Sequence, residues 1–177
     1  MIEDRFKNII FKFFIFLFLI YFFLINFNKL SFGLPFFLDA DESAFMKSTL
    51  SYLSYITGIK PDLIDPIYAP IFNLLLILKF VFLNEVIINS LDFSQIKSKF
   101  YFNPELFVYY GRIVSLTITT ISIYFLFLIL RKLKINIYLI SLSLFIFSNS
   151  LVTLSISHVN GKNSFYLLIF LMQIYFF

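Results

Sequence analysis

Cysteine and tryptophan are absent from the 177-residue sequence, and histidine occurs once. Without cysteine the chain has no disulfide framework, no thiolate nucleophile and no cysteine metal site. A single histidine does not supply the several donors that a histidine metal site needs. Glycine-rich phosphate loops and the nucleophile elbow of serine hydrolases are missing as well. Any catalysis by this chain therefore falls mainly to its few carboxylates.

Charge is also scarce, since only 14% of the residues are Asp, Glu, Lys or Arg while 60% are hydrophobic. The mean hydropathy is +0.93, whereas roughly a quarter of the residues in a soluble domain are charged. The sequence therefore predicts an integral membrane protein of the all-α class. The net charge of +4 gives no reason to expect nucleic acid as a partner, because in a membrane chain the placement of cations reports loop orientation.

Four apolar runs are candidates for membrane-spanning helices. They cover residues 9–27, 106–130, 135–157 and 164–177, and the first offers about 28 Å of helix, enough for one crossing. No small-residue cleavage site follows the first run, so we interpret it as an uncleaved helix rather than a signal peptide. The fourth run reaches Phe177 without a polar flank, and we expect the reading frame to continue beyond it. The prediction for residues 1–177 is a single polytopic helical bundle with about four transmembrane helices.

Residues 29–103 lie between the first and second runs and are predicted to form an outer loop that carries surface helices. Within it, residues 71–88 are apolar but interrupted by Lys79, and a charge near the bilayer centre is costly. We interpret this stretch as a helix lying on the outer face. The basic cluster at residues 131–134 then falls on the same cytoplasmic side as the amino terminus, as the positive-inside rule requires. If residues 71–88 crossed the membrane, that cluster would lie outside.

The stretch FFLDADESAF at residues 36–45 concentrates three acids, Asp39, Asp41 and Glu42, shortly after the first apolar run. A carboxylate at a membrane surface can act as a general base toward an acceptor hydroxyl or amine, or as a ligand for a divalent cation. The alternative is structural, because aspartate and serine before a periodic apolar run are common helix caps. The residue types alone favour neither interpretation.

Three basic or titratable residues share the outer side with these acids under this topology: Arg112, His158 and Lys162. A basic group there can hold a lipid phosphate. A lone histidine in a polar turn is more often a plain surface residue than a ligand. Arg112, at the outer end of its run, is more readily interpreted as an anchor whose side chain snorkels to the headgroups.

The order of these features resembles the amino-terminal part of membrane glycosyltransferases with the GT-C fold, in particular the protein-mannosyltransferase and aminoarabinose-transferase-like group. One motif is the Asp41-Glu42 pair at the start of a predicted surface helix, followed by a proline-containing stretch and an apolar surface helix. A second is Arg112 near the outer end of a span that finishes in a basic cluster. The third is the turn SHVNGKNS at residues 157–164, which partly follows the family pattern Ser-His-x-Ala-x-x-Asp.

The resemblance implies transfer of a sugar from a polyprenyl-phosphate donor to a lipid, protein or glycan acceptor on the outer side of the membrane. By position Asp41 is implied to be the catalytic carboxylate, either activating the acceptor or organising a divalent metal cation, with Glu42 beside it. The candidate ligands of such a cation are Asp41 and Asn163, with Asp39 as the alternative second carboxylate. The turn departs from the family at Asn163, since an amide can coordinate a cation but cannot act as a base. The substrate-binding candidates are Asp39, Arg112, His158, Lys162 and Asn163.

The competing interpretation is a non-enzymatic multipass membrane protein, such as a transporter portion or an assembly subunit, in which the acids only cap a loop helix. Transporter sites usually place polar groups near the midplane on broken helices. The spans of this chain are nearly free of charge, glycine and proline. The sequence therefore favours chemistry at the outward-facing surface over translocation. The resemblance implies a protein of the bacterial inner membrane, with membrane lipid around its helices.

Overall fold

The computed structural model describes residues 2–31, 85, 87–158 and 163–177, and the regular elements among them are helical. The predicted all-α class is confirmed for these residues. In chain order the helices of the described part are α1 (Ile2–Phe27), α2 (Phe93–Phe102), α3 (Pro104–Lys132), α4 (Ile137–Ser148), α5 (Leu151–His158) and α6 (Asn163–Phe176).

Two of the described helices are long and apolar enough to cross a membrane. Their apolar windows are Ile10–Phe27 in α1 and Val108–Lys132 in α3, which coincide with the predicted runs at residues 9–27 and 106–130. A helix of this kind satisfies its backbone hydrogen bonds internally, as a lipid environment demands. These two helices support an integral membrane protein.

The third predicted run, residues 135–157, does not form one straight helix. It is divided into α4 and α5, which meet at a bend of 56°. Taking this bent pair as one span raises the number of candidate spans in the described residues from two to three. α6 has 14 residues, or about 21 Å of helix, and is too short to count by itself. The described structure thus supports two or three of the roughly four predicted spans.

The predicted outer loop at residues 29–103 is described at its two ends. Its predicted surface helix at residues 71–88 lies outside the described residues, apart from positions 85, 87 and 88. The described carboxyl end of the loop contains α2, a helix that the sequence interpretation did not single out.

Local sequence explains where α2 and α3 begin. The Asp92 carboxylate accepts a hydrogen bond from the Gln95 backbone N–H at 2.8 Å, and the Asp92 N–H donates to the Gln95 side chain at 2.9 Å. This reciprocal capping box satisfies two backbone donors at the start of α2. Pro104 begins α3, where its fixed φ suits the helix and its missing N–H is not needed.

α3 is the central helix of the described bundle, since it contacts each of the other five helices. The Phe11 and Phe127 rings lie 5.8 Å apart, and those of Phe27 and Tyr109 lie 6.1 Å apart, so α1 and α3 run antiparallel. The main apolar cluster joins buried residues from α1, the turn after it, α3 and α4: Phe11, Ile15, Phe22, Leu30, Leu116, Ile123, Phe127, Ile140 and Leu144.

A second face of α3 carries small polar residues, Ser115, Thr119 and Ser122, all of them buried. The Thr119 hydroxyl donates to the Ser115 carbonyl oxygen at 2.8 Å, and the Ser122 hydroxyl donates to the carbonyl oxygen four residues before it at 2.9 Å. Two of the three hydroxyls are therefore satisfied within α3. Small residues of this kind let neighbouring helices approach closely in a membrane.

Candidate functional site

Glu85 is a carboxylate with no solvent exposure, surrounded by donors from three parts of the chain. The Lys99 ammonium lies 2.7 Å from Oε2. The Tyr110 hydroxyl donates to Oε1 at 2.9 Å, and the Asn89 amide donates to Oε2 at 3.3 Å. We name these four residues the Glu85 cluster. The Glu85 cluster connects the residues just before α2 with α2 itself and with the first turns of α3.

The charge state of Glu85 results from two opposing effects. Burial disfavours the carboxylate and so raises the pKa, but the hydrogen bonds from Lys99, Tyr110 and Asn89 favour the ionised form. The net result is a pKa of Glu85 below the ordinary value of 4.5, so this residue is ionised at neutral pH. Lys99, whose side chain is 29% exposed, supplies the compensating charge that a buried carboxylate requires.

Arg112 is fully buried on α3 and binds the chain just after α1. Its Nη1 donates to the carbonyl oxygen of Leu30 at 2.9 Å, and both residues are inaccessible to solvent. This finding corrects the expectation that the Arg112 side chain snorkels to the headgroups. The side chain turns inward because a buried backbone carbonyl beyond the end of α1 needs a donor.

These two ties fix both ends of segment 32–84 to one helix. Leu30 lies just before the segment and is bound by Arg112, whereas Glu85 follows it directly and is bound by Tyr110. Tyr110 and Arg112 are two residues apart on α3, which is about 3 Å along the helix axis. The chain on either side of the segment that contains the acidic stretch is thus held at the same end of the bundle.

His158 ends α5, and its ring is held by its own helix. Nδ1 lies 2.7 Å from the Leu154 carbonyl oxygen and 3.0 Å from the Ser157 hydroxyl. A carbonyl oxygen can only accept, so the shorter contact assigns the proton to Nδ1. Nε2 is buried without a hydrogen-bond partner among the described residues. In the neutral ring with its hydrogen on Nδ1, Nε2 can accept a hydrogen bond from a hydroxyl group.

His158 lies toward the same end of the bundle as the start of α3. Lys132 donates to the Tyr175 carbonyl oxygen at 2.7 Å, so the carboxyl ends of α3 and α6 meet. Since these two helices pack against each other, they run parallel. Asn163, the first residue of α6, is therefore displaced from Tyr175 by about 18 Å toward the amino end of α3. His158 precedes Asn163 by a short turn and shares that end.

The acids that the sequence predicts to be catalytic or substrate-binding, Asp39, Asp41 and Glu42, lie outside the described residues, as does Lys162. Asn163 is described and exposed. Within residues 2–31, 85, 87–158 and 163–177, no group of three or more His, Asp or Glu side chains could hold a metal ion. The described residues therefore provide no complete cation site.

The sequence interpretation missed the Glu85 cluster, because it treats Glu85 only as a charge that ends an apolar stretch. A usable signal was present, since a carboxylate and an ammonium so close to apolar runs need partners. Glu85 and Lys99 are opposite charges on either side of the Asp92 cap. Tyr110 has no local signature, because it lies 25 residues beyond Glu85.

Comparison of the chain with protein-family models, with curated proteins and with solved structures found no match. The family resemblance drawn from the sequence motifs therefore stays a prediction.

Proposed function

We propose that this protein is a membrane glycosyltransferase that moves a sugar from a polyprenyl-phosphate donor to an acceptor at the outer face of the membrane. The observation that carries the proposal is the double attachment of segment 32–84 to α3, through Arg112 at one end and Tyr110 at the other. A catalytic carboxylate works only when its supporting chain is held in place. The attachments of Leu30 and Glu85 to α3 support the proposal because they anchor the chain before and after the segment that contains Asp41.

Asp41 is the general base of the proposed reaction. It takes the proton from an acceptor hydroxyl or amine while the acceptor oxygen or nitrogen bonds to the anomeric carbon of the sugar. The bond from that carbon to the phosphate oxygen breaks, and the polyprenyl phosphate leaves with the bonding electrons. Glu42 is the neighbour of Asp41 in the loop. A divalent cation held by Asp41 and Asn163 would offset the charge of the phosphate.

The remaining candidates have supporting roles in this proposal. Arg112 is buried against a backbone carbonyl, so it supports the outer loop rather than the donor phosphate. His158 contacts a sugar hydroxyl only if its buried Nε2 becomes accessible when the substrate binds. Lys162 supplies a cation for the donor phosphate. Asp39 and Asn163 are further contacts to the substrates.

Asp41→Asn in the complete protein tests the proposal. Transfer of label from a panel of short-chain polyprenyl-phosphate sugars is measured in membranes that contain the variant. Loss of a general base should lower the rate by about 10²–10⁴, with membrane insertion unchanged. Asp92→Asn is the control, because asparagine caps a helix as well as aspartate does. Undiminished transfer by Asp41→Asn removes Asp41 from the mechanism, and a wild-type protein that uses no polyprenyl donor contradicts the proposed function.

A transporter portion is the second candidate, and the 56° bend between α4 and α5 favours it, because transporters bind substrate at broken helices. Side chains next to the break satisfy free backbone groups there. The Asn149 side-chain amide donates to the Phe145 carbonyl oxygen at 2.9 Å. The Ser150 hydroxyl donates to the Phe147 carbonyl oxygen at 2.9 Å, and it accepts from the Thr153 backbone N–H at 3.2 Å. The break therefore needs no ligand, and we favour glycosyl transfer. Solute uptake by sealed vesicles without cleavage of a polyprenyl donor would favour the transporter.

A further inference from the structure

A groove of about 510 Å³ lies between α1 and α3. On the α1 side its walls include Lys12, Ile15, Phe16 and Leu19, which recur every three or four residues and so share one helix face. Ile121 and Tyr124 contribute to the α3 side. The walls are mainly hydrocarbon, and Lys12 is the charged residue among them.

Lys12 lies at the end of the groove that the positive-inside rule places toward the cytoplasm. It is the third residue of the apolar window Ile10–Phe27 and is exposed. A lysine at this depth can keep its ammonium among the headgroups while its methylene groups lie along the apolar wall. From Lys12 to Leu19 the groove extends about 10 Å, so it stays within one leaflet of a hydrocarbon core roughly 30 Å thick.

The distribution of charge around the groove favours an anion at its cytoplasmic end. The contact between Phe11 and Phe127 places the basic cluster at residues 131–134 about one turn beyond Lys12. Glu85, Asp92 and Glu105 belong to the other end of the bundle, at or before the first turn of α3. At the cytoplasmic end the acids of α1, Glu3 and Asp4, are outnumbered by six cations: Arg5, Lys7, Lys12, Arg131, Lys132 and Lys134.

We propose that the groove binds an acyl chain of an anionic glycerophospholipid from the cytoplasmic leaflet, with the lipid phosphate on Lys12. The apolar walls match hydrocarbon, and the cation at the end of the groove matches the charge of one headgroup. The volume lies within the roughly 300–1,000 Å³ of sites that hold small molecules. This inference concerns a different part of the protein from the proposed glycosyl transfer and does not depend on it.

The absence of tryptophan makes a single introduced indole a site-specific fluorescent probe. Phe16→Trp places the indole in the groove. Leu17→Trp places the indole about 100° around the same helix at nearly the same depth. Both positions are accessible, since the native side chains of Phe16 and Leu17 are 60% and 43% exposed. The complete protein is reconstituted in vesicles of phosphatidylcholine with a minor fraction of phosphatidylglycerol. Either lipid carries brominated acyl chains, which quench indole fluorescence on contact.

Brominated phosphatidylglycerol should quench Phe16→Trp about fivefold more efficiently per lipid than brominated phosphatidylcholine, the preference expected from one lysine near an anionic headgroup. Leu17→Trp should show no preference. Lys12→Gln should remove the preference from Phe16→Trp, whereas Lys29→Gln, at the other end of α1, should leave it unchanged. Ile121→Trp is a second probe, from the opposite wall, for the case that Phe16→Trp does not fold.

Three outcomes overturn the proposal. Equal quenching by both lipids at position 16 means that the groove holds ordinary surrounding lipid. No quenching there by either lipid means that protein covers the groove, either another helix or a second copy of the chain. If Lys29→Gln removes the preference for phosphatidylglycerol to the same extent as Lys12→Gln, the preference depends on the total charge of the protein and not on Lys12.

Discussion

Glu85→Gln tests the packing that holds the chain before α2. The substitution keeps the size of the side chain but removes its charge. A hydrogen bond to a charged acceptor contributes about 1.5–3 kcal/mol, and one to a neutral acceptor about 0.5–1.5 kcal/mol. In Glu85→Gln the buried Tyr110 hydroxyl donates to a neutral acceptor, so this hydrogen bond loses about 1 kcal/mol. Lys99 is 29% exposed and can return to water, which limits its loss to the ~1 kcal/mol of an exposed pair. The expected decrease in the free energy of unfolding is therefore about 2 kcal/mol.

Two measurements check this value. The first is reversible unfolding in mixed detergent micelles, followed by far-ultraviolet circular dichroism. The second is amide hydrogen exchange in α2, where a loss of ~2 kcal/mol should accelerate exchange through local opening about 30-fold. Asp92→Asn is the matched control, because it removes a nearby exposed carboxylate but keeps the helix cap, and it should leave the stability nearly unchanged.

A double-mutant cycle decides whether Glu85 and Lys99 act as a pair. Combining Glu85→Gln with Lys99→Met should give a smaller loss than the sum of the two single losses, by about 1 kcal/mol. Losses that add to within ~0.5 kcal/mol are typical of independent residues. Such additivity would refute the ion pair, and unchanged exchange in α2 would refute the role of the Glu85 cluster in fixing this helix.

Three further predictions concern Arg112, pH and topology. Arg112→Met removes a donor from the buried Leu30 carbonyl and should lower the unfolding free energy by about 1–3 kcal/mol; a negligible change in the same assay would contradict this role. Because the pKa of Glu85 is lowered, its stabilising contribution should be complete above pH 4.5 and disappear as the pH falls through its folded-state pKa. As the pH is lowered, the free energy of unfolding should therefore fall more steeply for the wild type than for Glu85→Gln. Identical curves would contradict a stabilising role of the Glu85 carboxylate. A membrane-impermeant maleimide should label Lys29→Cys in intact cells but Lys132→Cys only after permeabilisation, and the opposite pattern would reverse the topology.

The sequence predicts the two long helices because their signal is strong and local. Long apolar windows with few charged residues place them correctly at Ile10–Phe27 and Val108–Lys132. A hydropathy profile does not reveal the bend between α4 and α5. Residues 148–150 are polar but uncharged, so their contribution disappears when hydropathy is averaged over a long window. Three consecutive residues of the types Ser, Asn and Ser are nevertheless a turn signal, since their side chains compete for backbone hydrogen bonds.

The sequence identifies Arg112 as a noteworthy residue but does not give the direction of its side chain. A hydropathy profile shows that a charge lies near the end of the helix, but it does not show which way the side chain points. The packing of α1 against α3 brings the Leu30 carbonyl oxygen within hydrogen-bond distance of the guanidinium. The contact from Tyr110 to Glu85 depends equally on tertiary packing, which no local pattern encodes. The catalytic assignment of Asp41 stays a prediction that rests on the family resemblance.

Leu30 and Glu85 attach to two residues of α3 that are about 3 Å apart along the helix axis, so the chain leaves the bundle and returns to it at the same level. Doubling the length of chain between two fixed points costs only about 0.6 kcal/mol in closure entropy. The helices should therefore tolerate a change in the number of residues between these two points at little cost in stability. For chimaeric proteins, the same two residues mark where a donor loop should be spliced.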